Sequence, residues 1–160
     1  MNKWQEIYEK NLELDKIFQT KYSTDSEIYH KNCLELLTEL GELANETKCF
    51  KYWSIKIPDK SKILDEYADC ITMSLTFIGC LNLSLDNLPP HETFENILEL
   101  FNFLFQESTK LYENLNEKTV KTIFINLLQL KNFLNITETE LQNACLTKQK
   151  IISERLNSDY

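Results

Sequence analysis

Glycine and proline are scarce in this sequence, which has two glycines and three prolines in 160 residues. Barrels and sandwiches of many short strands need a turn, and therefore turn-forming residues, every few residues. Leu, Ile, Glu, Lys and Asn dominate instead, in long stretches without a helix breaker. The composition predicts an all-α protein.

Positive charge is also in deficit, since the formal net charge is −8. Proteins that bind duplex nucleic acid carry a basic surface that neutralises the phosphates. We therefore expect no duplex nucleic acid among the partners, although a local basic patch is compatible with this charge.

Long apolar runs and paired cysteines are missing as well. The most apolar run, Ile71 to Leu85, is short and is interrupted by Thr72, Ser74 and Asn82, so we expect no membrane span. The first residues resemble neither a signal peptide nor a basic leader. The cysteines are odd in number and form no Cys-x-x-Cys pair, which is typical of small core residues in a reduced compartment. They are Cys33, Cys49, Cys70, Cys80 and Cys145. These features predict a cytoplasmic protein.

Apolar residues recur with the 3.6-residue period of α-helices in six segments. They run from about Lys3 to Tyr22, from a capping box at Thr24 to Glu27 onward, from Ser61 to Leu83, from Phe94 to Leu115, from Val120 to Leu134, and from a second capping box at Thr137 to Glu140 toward Arg155. The connections are short and no repeat is evident. We predict one helical bundle that forms a single domain over residues 1–160.

Four glutamates on the second helix follow one another at steps of four, three and four residues. They are Glu35, Glu39, Glu42 and Glu46. This spacing places them on one ribbon of the helix, where like charges repel one another and no lysine intervenes. A solvated acidic face would explain the pattern, and so would a cation-binding site.

The third helix favours the cation-binding site. Asp65, Glu66 and Asp69 occupy its first two turns, and from Cys70 onward it is apolar on nearly every side, which is typical of a central helix. An ionised carboxylate carried into the interior costs several kcal/mol unless it is paired or bound to metal. No Lys or Arg lies near Asp69 on its own helix, so we expect a cation from elsewhere.

Antiparallel packing of these two helices would bring Glu39 and Glu42 opposite Glu66 and Asp69. Carboxylate oxygens without His or Cys suit a hard cation, which is Mg²⁺ or alternatively Mn²⁺. A di-iron bundle needs two Glu-x-x-His motifs. The sequence has one, from Glu27 to His30, so di-iron is disfavoured.

Lysines crowd the connection between the two acidic helices. They are Lys48, Lys51, Lys56, Lys60 and Lys62. A solvated loop would have this composition, but beside a metal site the lysines would also attract a polyphosphate.

These motifs occur together in LTELGELANETKCFKYWS, followed by ILDEYADCITMSL. From about Leu34 to Leu75 the sequence resembles the all-α, dimeric dUTP pyrophosphatases, within the wider MazG-like group of all-α nucleoside triphosphate pyrophosphohydrolases. A weaker similarity covers Lys148 to Tyr160. The resemblance implies hydrolysis of dUTP to dUMP and pyrophosphate, with Glu39, Glu42, Glu66 and Asp69 as Mg²⁺ ligands. It also implies a metal-activated water, for which Glu42 is our candidate catalytic base.

The same resemblance suggests where a nucleotide binds. A basic tail would hold the phosphates through Lys148, Arg155 and Tyr160, with Lys51 nearby. Trp53 could stack on the pyrimidine, although aromatic residues near a helix end are also common in cores.

An amide on the first helix often binds uracil in the family, and this chain offers Asn11 and Asp15. In the tail Ile152 stands where an Asn is expected, which leaves the preferred base open. The alternatives are a pyrophosphohydrolase for dCTP or damaged nucleotides, and a helical regulatory or binding module without turnover.

A homodimer is also expected. Besides the resemblance, the fourth and fifth segments contain many Phe and Leu residues, more than one small bundle readily covers.

Overall fold

A computed structural model describes residues 3–22 and 26–158 of the chain, and all regular structure in this part is helical. The helices are α1 Lys3–Lys21, α2 Ile28–Thr47, α3 Lys60–Cys80, α4 Ile97–Glu113, α5 Glu117–Leu127, α6 Leu130–Phe133 and α7 Glu138–Asn157. The prediction of an all-α bundle is therefore confirmed. In the described residues no helix is long and apolar enough to cross a membrane.

Short polar side chains begin most of the helices. Asp59, which follows Pro58, accepts a hydrogen bond from the backbone N–H of Ser61 at the start of α3. Thr137 and Glu140 form the predicted capping box at the start of α7, with both reciprocal hydrogen bonds present. These contacts satisfy N–H groups that lack a partner within the helix.

The other predicted capping box differs from the structure. Helix α2 begins at Ile28, and Glu27 occupies the N-cap position, whereas the predicted box needs Glu27 as the third helical residue. Thr24, the other member of that box, lies outside the described residues.

Helix α3 is the centre of the bundle, as its nearly uniform apolar composition predicts. It packs against α1, α2, α5 and α7. Its buried side chains include Tyr67, Ile71, Leu75 and Phe77. The helix ends at Cys80, and Asn82 just beyond it has a left-handed backbone with φ of 51°, so the predicted extension to Leu83 is wrong.

The fifth predicted segment is two helices, because Tyr67 interrupts it. The buried Tyr67 hydroxyl donates to the Leu127 carbonyl at 2.5 Å and accepts from the Lys131 N–H at 3.1 Å. In an unbroken helix these two backbone groups would bond to each other. A side chain inserted into that ladder breaks the helix, which accounts for the separation of α5 from α6.

Candidate active site

Three of the predicted acids meet where α2 packs against α3. Glu39, Glu42 and Glu66 each offer one carboxylate oxygen, and these oxygens lie within 4.8 Å of one another. Glu42 is exposed, while the other two are half-buried. We call these three residues the carboxylate cluster. They come together because Glu39 and Glu42 lie on one face of α2, and this face packs against the face of α3 that carries Glu66.

Asp69, the fourth predicted acid, lies one turn beyond Glu66 and is paired with a lysine from another helix. The Lys148 ammonium on α7 lies 2.6 Å from Asp69 Oδ2 and 2.7 Å from Asp65 Oδ1. The sequence required a cation for Asp69, and in the described structure this lysine supplies it. Lys148 was expected at the substrate phosphates, so it links the predicted tail to the predicted metal site.

The electrostatics of the cluster disfavour negative charge. Burial, followed by repulsion from Asp69 and from the other nearby acids, raises the pKa of Glu39 to about 7. Burial and then repulsion from Glu42 raise the pKa of Glu66. Burial also raises the pKa of Asp69, although its bond with Lys148 opposes the change. Each carboxylate would therefore gain from a nearby cation.

These residues fit a divalent metal ion. All three cluster members offer oxygen, the ligand type that Mg²⁺ prefers, and the cluster holds its oxygens close enough to share one ion. The cluster contains no nitrogen or sulfur donor that would favour zinc or iron.

A pocket of about 400 Å³ extends from this site between α1, α2, α3 and α7. Among the predicted site residues, the following line it: Asn11, Asp15, Glu39, Asp69, Lys148 and Arg155. Ile152, the residue that departs from the family pattern, lines it too. The structure thus brings predicted site residues from α1, from the two acidic helices and from the C-terminal tail together in one cavity.

A buried polar network closes the α1 end of this pocket. Asn11 is 1% exposed, and its Nδ2 donates to Asp15 Oδ2 and to Thr76 Oγ1, both at 3.1 Å. The Thr76 hydroxyl lies 3.0 Å from Asp15 Oδ1, to which it donates. Gln149, which is 3% exposed, donates through Nε2 to Asn11 Oδ1 at 3.4 Å. Burial raises the pKa of Asp15 to about 6, against the lowering effect of its two donors.

Two predicted substrate residues lie away from the pocket lining. Trp53 is 64% exposed and contacts the rings of Phe50 and Tyr52, so the alternative that it is a core residue is wrong. Lys51 donates to the side chain of Asn45. Tyr160 lies outside the described residues.

Sequence reasoning missed several residues of this site. Glu35, Thr72 and Thr76 line the pocket, and Asp65 shares Lys148 with Asp69. The signal for Glu35 was its place on the glutamate ribbon, one turn before Glu39. The threonines follow Asp69 by three and seven residues, so they lie on the same face of α3.

An all-helical bundle whose nucleotide-sized pocket adjoins a carboxylate cluster is the architecture of an all-α nucleoside triphosphate pyrophosphohydrolase. Residues 3–160 match the family model described as dUTPase, and the chain belongs to this dUTPase family. It is therefore a hydrolase of nucleotide metabolism that acts on dUTP. No curated protein sequence matches the chain.

Proposed function

We propose that dUTP binds in this pocket with its triphosphate at the carboxylate cluster and its base at α1. The enzyme then hydrolyses dUTP to dUMP and pyrophosphate. One observation supports this orientation above all: the three cluster oxygens within 4.8 Å of one another adjoin a pocket whose far end is a polar network without a basic side chain.

Glu39, Glu42, Glu66 and Asp69 would hold Mg²⁺, with Mn²⁺ as the alternative for the same oxygen ligands. When bound, the metal supplies charge neutralisation for the phosphates and lowers the pKa of a bound water. Glu42 would accept the proton of the attacking water, since it is the solvent-exposed member of the cluster. The electrostatics support the metal, because burial and repulsion from neighbouring acids already raise the pKa of Glu39 and of Glu66.

Lys148 and Arg155 would bind the triphosphate from α7. Both side chains line the pocket, two helical turns apart on one face of the helix. Lys148 is held at the metal end by Asp65 and Asp69. Substrate roles for Lys51, Trp53 and Tyr160 stay predictions.

We also propose a single domain and a homodimer, but the structure changes the argument for the dimer. Of the large apolar side chains in the fourth and fifth predicted segments, only Leu98 and Tyr112 are exposed, so these helices hide most of their apolar residues in one chain. Among the described residues, the largest group of exposed apolar side chains that follow one another closely in sequence lies instead between α2 and α3. Its members are Phe50, Tyr52, Trp53, Ile55 and Ile57. A second copy of the chain would cover this segment.

A cytoplasmic location is supported by the cysteines, since all five are free thiols.

The activity is tested by incubating the purified protein with each deoxynucleoside triphosphate and Mg²⁺, and by measuring pyrophosphate release. We expect dUTP to be hydrolysed fastest and Glu39→Gln to reduce the rate at least about a hundredfold, as expected when a metal ligand is lost. Glu46→Gln is the matched control, because Glu46 lies on the same ribbon of α2 and outside the cluster. No pyrophosphate from any nucleotide would favour the module without turnover.

A further inference from the structure

Lys148 makes the contacts that an inorganic cation would make at the acidic site. Its ammonium lies 2.6 Å from Asp69 Oδ2 and 2.7 Å from Asp65 Oδ1, so one positive charge bridges two carboxylates. The side chain of Lys148 is 14% exposed and that of Asp69 is 22% exposed, whereas that of Asp65 is 58% exposed. Because solvent screens the bond to Asp65, the shielded bond to Asp69 is the stronger of the two.

Asp69 is the proposed metal ligand that lies outside the carboxylate cluster of the described chain. It is nevertheless close to that cluster, because repulsion from Asp69 follows burial among the causes that raise the pKa of Glu39. Lys148 therefore holds a carboxylate that a cation at the cluster would also attract.

The backbone at Lys148 is fixed, while its side chain is flexible. The neighbouring Gln149, which is 3% exposed, donates to the Ile7 carbonyl at 2.8 Å and thereby anchors α7 on α1. A lysine ammonium is carried by a flexible aliphatic stem and can change its acceptors by side-chain rotation. Lys148 also lines the pocket in which the triphosphate is proposed to bind. The ammonium can therefore exchange Asp69 for a phosphate oxygen without movement of the helix.

We propose that Lys148 is an internal competitor for the metal: it occupies Asp69 in the metal-free enzyme and transfers to the substrate phosphates when Asp69 becomes a metal ligand. This inference rests on the proposed function, because it assigns the order of events at that same site. The carboxylate cluster is open to a divalent cation from the start, whereas Asp69 becomes available only after Lys148 has left it. Metal binding and phosphate binding therefore favour each other, since both depend on the release of Lys148.

Charge and coordination explain why a divalent ion can displace the lysine. Mg²⁺ carries twice the charge of an ammonium and binds several oxygens at once, including those of the carboxylate cluster. The displaced ammonium keeps a partner when substrate is present, because phosphate oxygens offer it charge-assisted hydrogen bonds in place of the bond to Asp69. Without a phosphate the ammonium loses one of its two carboxylates, so Lys148 lowers the affinity for metal alone.

The test is Mg²⁺ binding to the nucleotide-free protein, measured by titration calorimetry in wild type and in Lys148→Met. This substitution keeps an unbranched side chain and removes the ammonium. We expect Lys148→Met to bind Mg²⁺ about fivefold or more tightly than wild type, because a charge-assisted bond no longer competes for Asp69. The same variant should bind a dUTP analogue with a non-hydrolysable α,β-imido bridge more weakly at saturating Mg²⁺. A residue with only a structural role would not move the two affinities in opposite directions.

The double variant Lys148→Met/Asp69→Asn shows whether the gain depends on Asp69. In the Asp69→Asn background, Lys148→Met should change Mg²⁺ affinity less than about twofold, because no ligand is left for the lysine to occupy. Lys148→Arg, which keeps a cation at this position, should bind Mg²⁺ no more tightly than wild type. Lys150→Met is the matched control and should keep the wild-type affinity, since Lys150 is an exposed lysine on the same helix that pairs with Glu154.

Equal or weaker Mg²⁺ binding in Lys148→Met would overturn the proposal. The same applies to a gain that persists in full in the Asp69→Asn background, or to tighter binding in Lys148→Arg, which also serves if Lys148→Met does not fold. These outcomes leave the proposed function intact when wild type binds Mg²⁺ and hydrolyses dUTP. If wild type binds no Mg²⁺, the proposed metal site itself is wrong and this inference fails with it.

Discussion

Arg155 is the single arginine among 17 Lys and Arg residues, and it lines the pocket two turns from Lys148. A planar guanidinium binds two phosphate oxygens at once, which an ammonium cannot do. We expect Arg155→Lys to lower kcat/KM for dUTP tenfold or more, roughly 1.4 kcal/mol of lost transition-state binding. Steady-state kinetics at saturating Mg²⁺ measure this effect.

The matched control is Lys150→Arg, an exposed position on α7 whose side chain pairs with Glu154. It should leave the kinetics unchanged. Wild-type kinetics in Arg155→Lys would assign Arg155 to the solvated surface.

Asp69 is a proposed metal ligand and also pairs with Lys148 of α7, so its charge is expected to affect both metal binding and stability. Asp69→Asn removes a proposed Mg²⁺ ligand and should weaken Mg²⁺ binding about tenfold or more, as measured by titration calorimetry. The metal-free variant should also melt at a higher temperature than metal-free wild type at about pH 8. The raised pKa of Asp69 shows that its ionised form is disfavoured in the fold, and Lys148 keeps its bond to Asp65.

Asp65→Asn is the control for this experiment, because it removes the other partner of Lys148 without touching a proposed ligand. It should change Mg²⁺ affinity less than threefold, because the Asp65 side chain is largely exposed to solvent, which screens its charge. Equal Mg²⁺ affinity in wild type and Asp69→Asn would exclude Asp69 from the metal site.

Among the helices, α7 is the one that begins with a complete capping box. Thr137→Ala removes the side chain that accepts from the Glu140 N–H, and it should destabilise the protein by about 1 kcal/mol. Urea unfolding measures the change. Thr147→Ala on the same helix is the control. Thr147 is exposed and bonds only to the Asn143 carbonyl within the helix, so alanine there should be neutral or slightly stabilising.

The helices also show where local pattern is a sufficient guide. The capping box of α7 and the extent of α1 follow from contacts between residues at most four apart, and both were predicted. The break between α5 and α6 was missed, because its cause, the hydroxyl of Tyr67, lies sixty residues away in sequence. Periodicity in the fifth segment continues through the break, so nothing local marks it.

At the scale of the whole molecule, stability should depend on pH through the buried acids. The folded protein binds protons more tightly than the unfolded chain at Asp15 and Glu39, whose pKa values rise from 3.8 to about 6 and from 4.5 to about 7. The contribution of these two groups to the stability of the fold is therefore fully present at low pH. It is lost as the pH rises through about 6 for Asp15 and through about 7 for Glu39. Metal-free protein in EDTA should melt at a lower temperature at about pH 8 than at about pH 5.

This difference in melting temperature should shrink in Glu39→Gln, in which one of the two groups no longer titrates. Saturating Mg²⁺ should raise the melting temperature more at about pH 8 than at about pH 5, because ionised carboxylates bind the metal. A melting temperature that rises steadily from about pH 5 to about pH 8 without metal would contradict the prediction.

The oligomeric state is the second whole-molecule prediction. We expect light scattering at micromolar concentration to report twice the mass of one chain. Ile55→Lys should shift the equilibrium toward the monomer, because Ile55 is 99% exposed in one chain and lies in the apolar segment between α2 and α3. The control is Leu98→Lys at the exposed start of α4, which should remain dimeric. A monomeric wild type would refute the homodimer.

The sequence by itself determined the helices and the positions of the acids along them. A helix is built from hydrogen bonds between residues four apart, so capping residues and a 3.6-residue period specify it locally. The same geometry placed Glu39 with Glu42, and Glu66 with Asp69, on single helix faces.

Only the packing of the helices decided which side chains of different helices come into contact. Lys148 reaches Asp69 across 79 residues, Gln149 reaches Asn11 across 138, and Tyr67 divides α5 from α6 across 60. Such contacts depend on the relative rotation and crossing of helices, which interdigitating side chains from several segments set together. No single segment carries that information. For this reason the acids could be assigned from the sequence, while the pairing of Lys148 with Asp69 and the contacts of Asn11 and Asp15 with Thr76 and Gln149 could not.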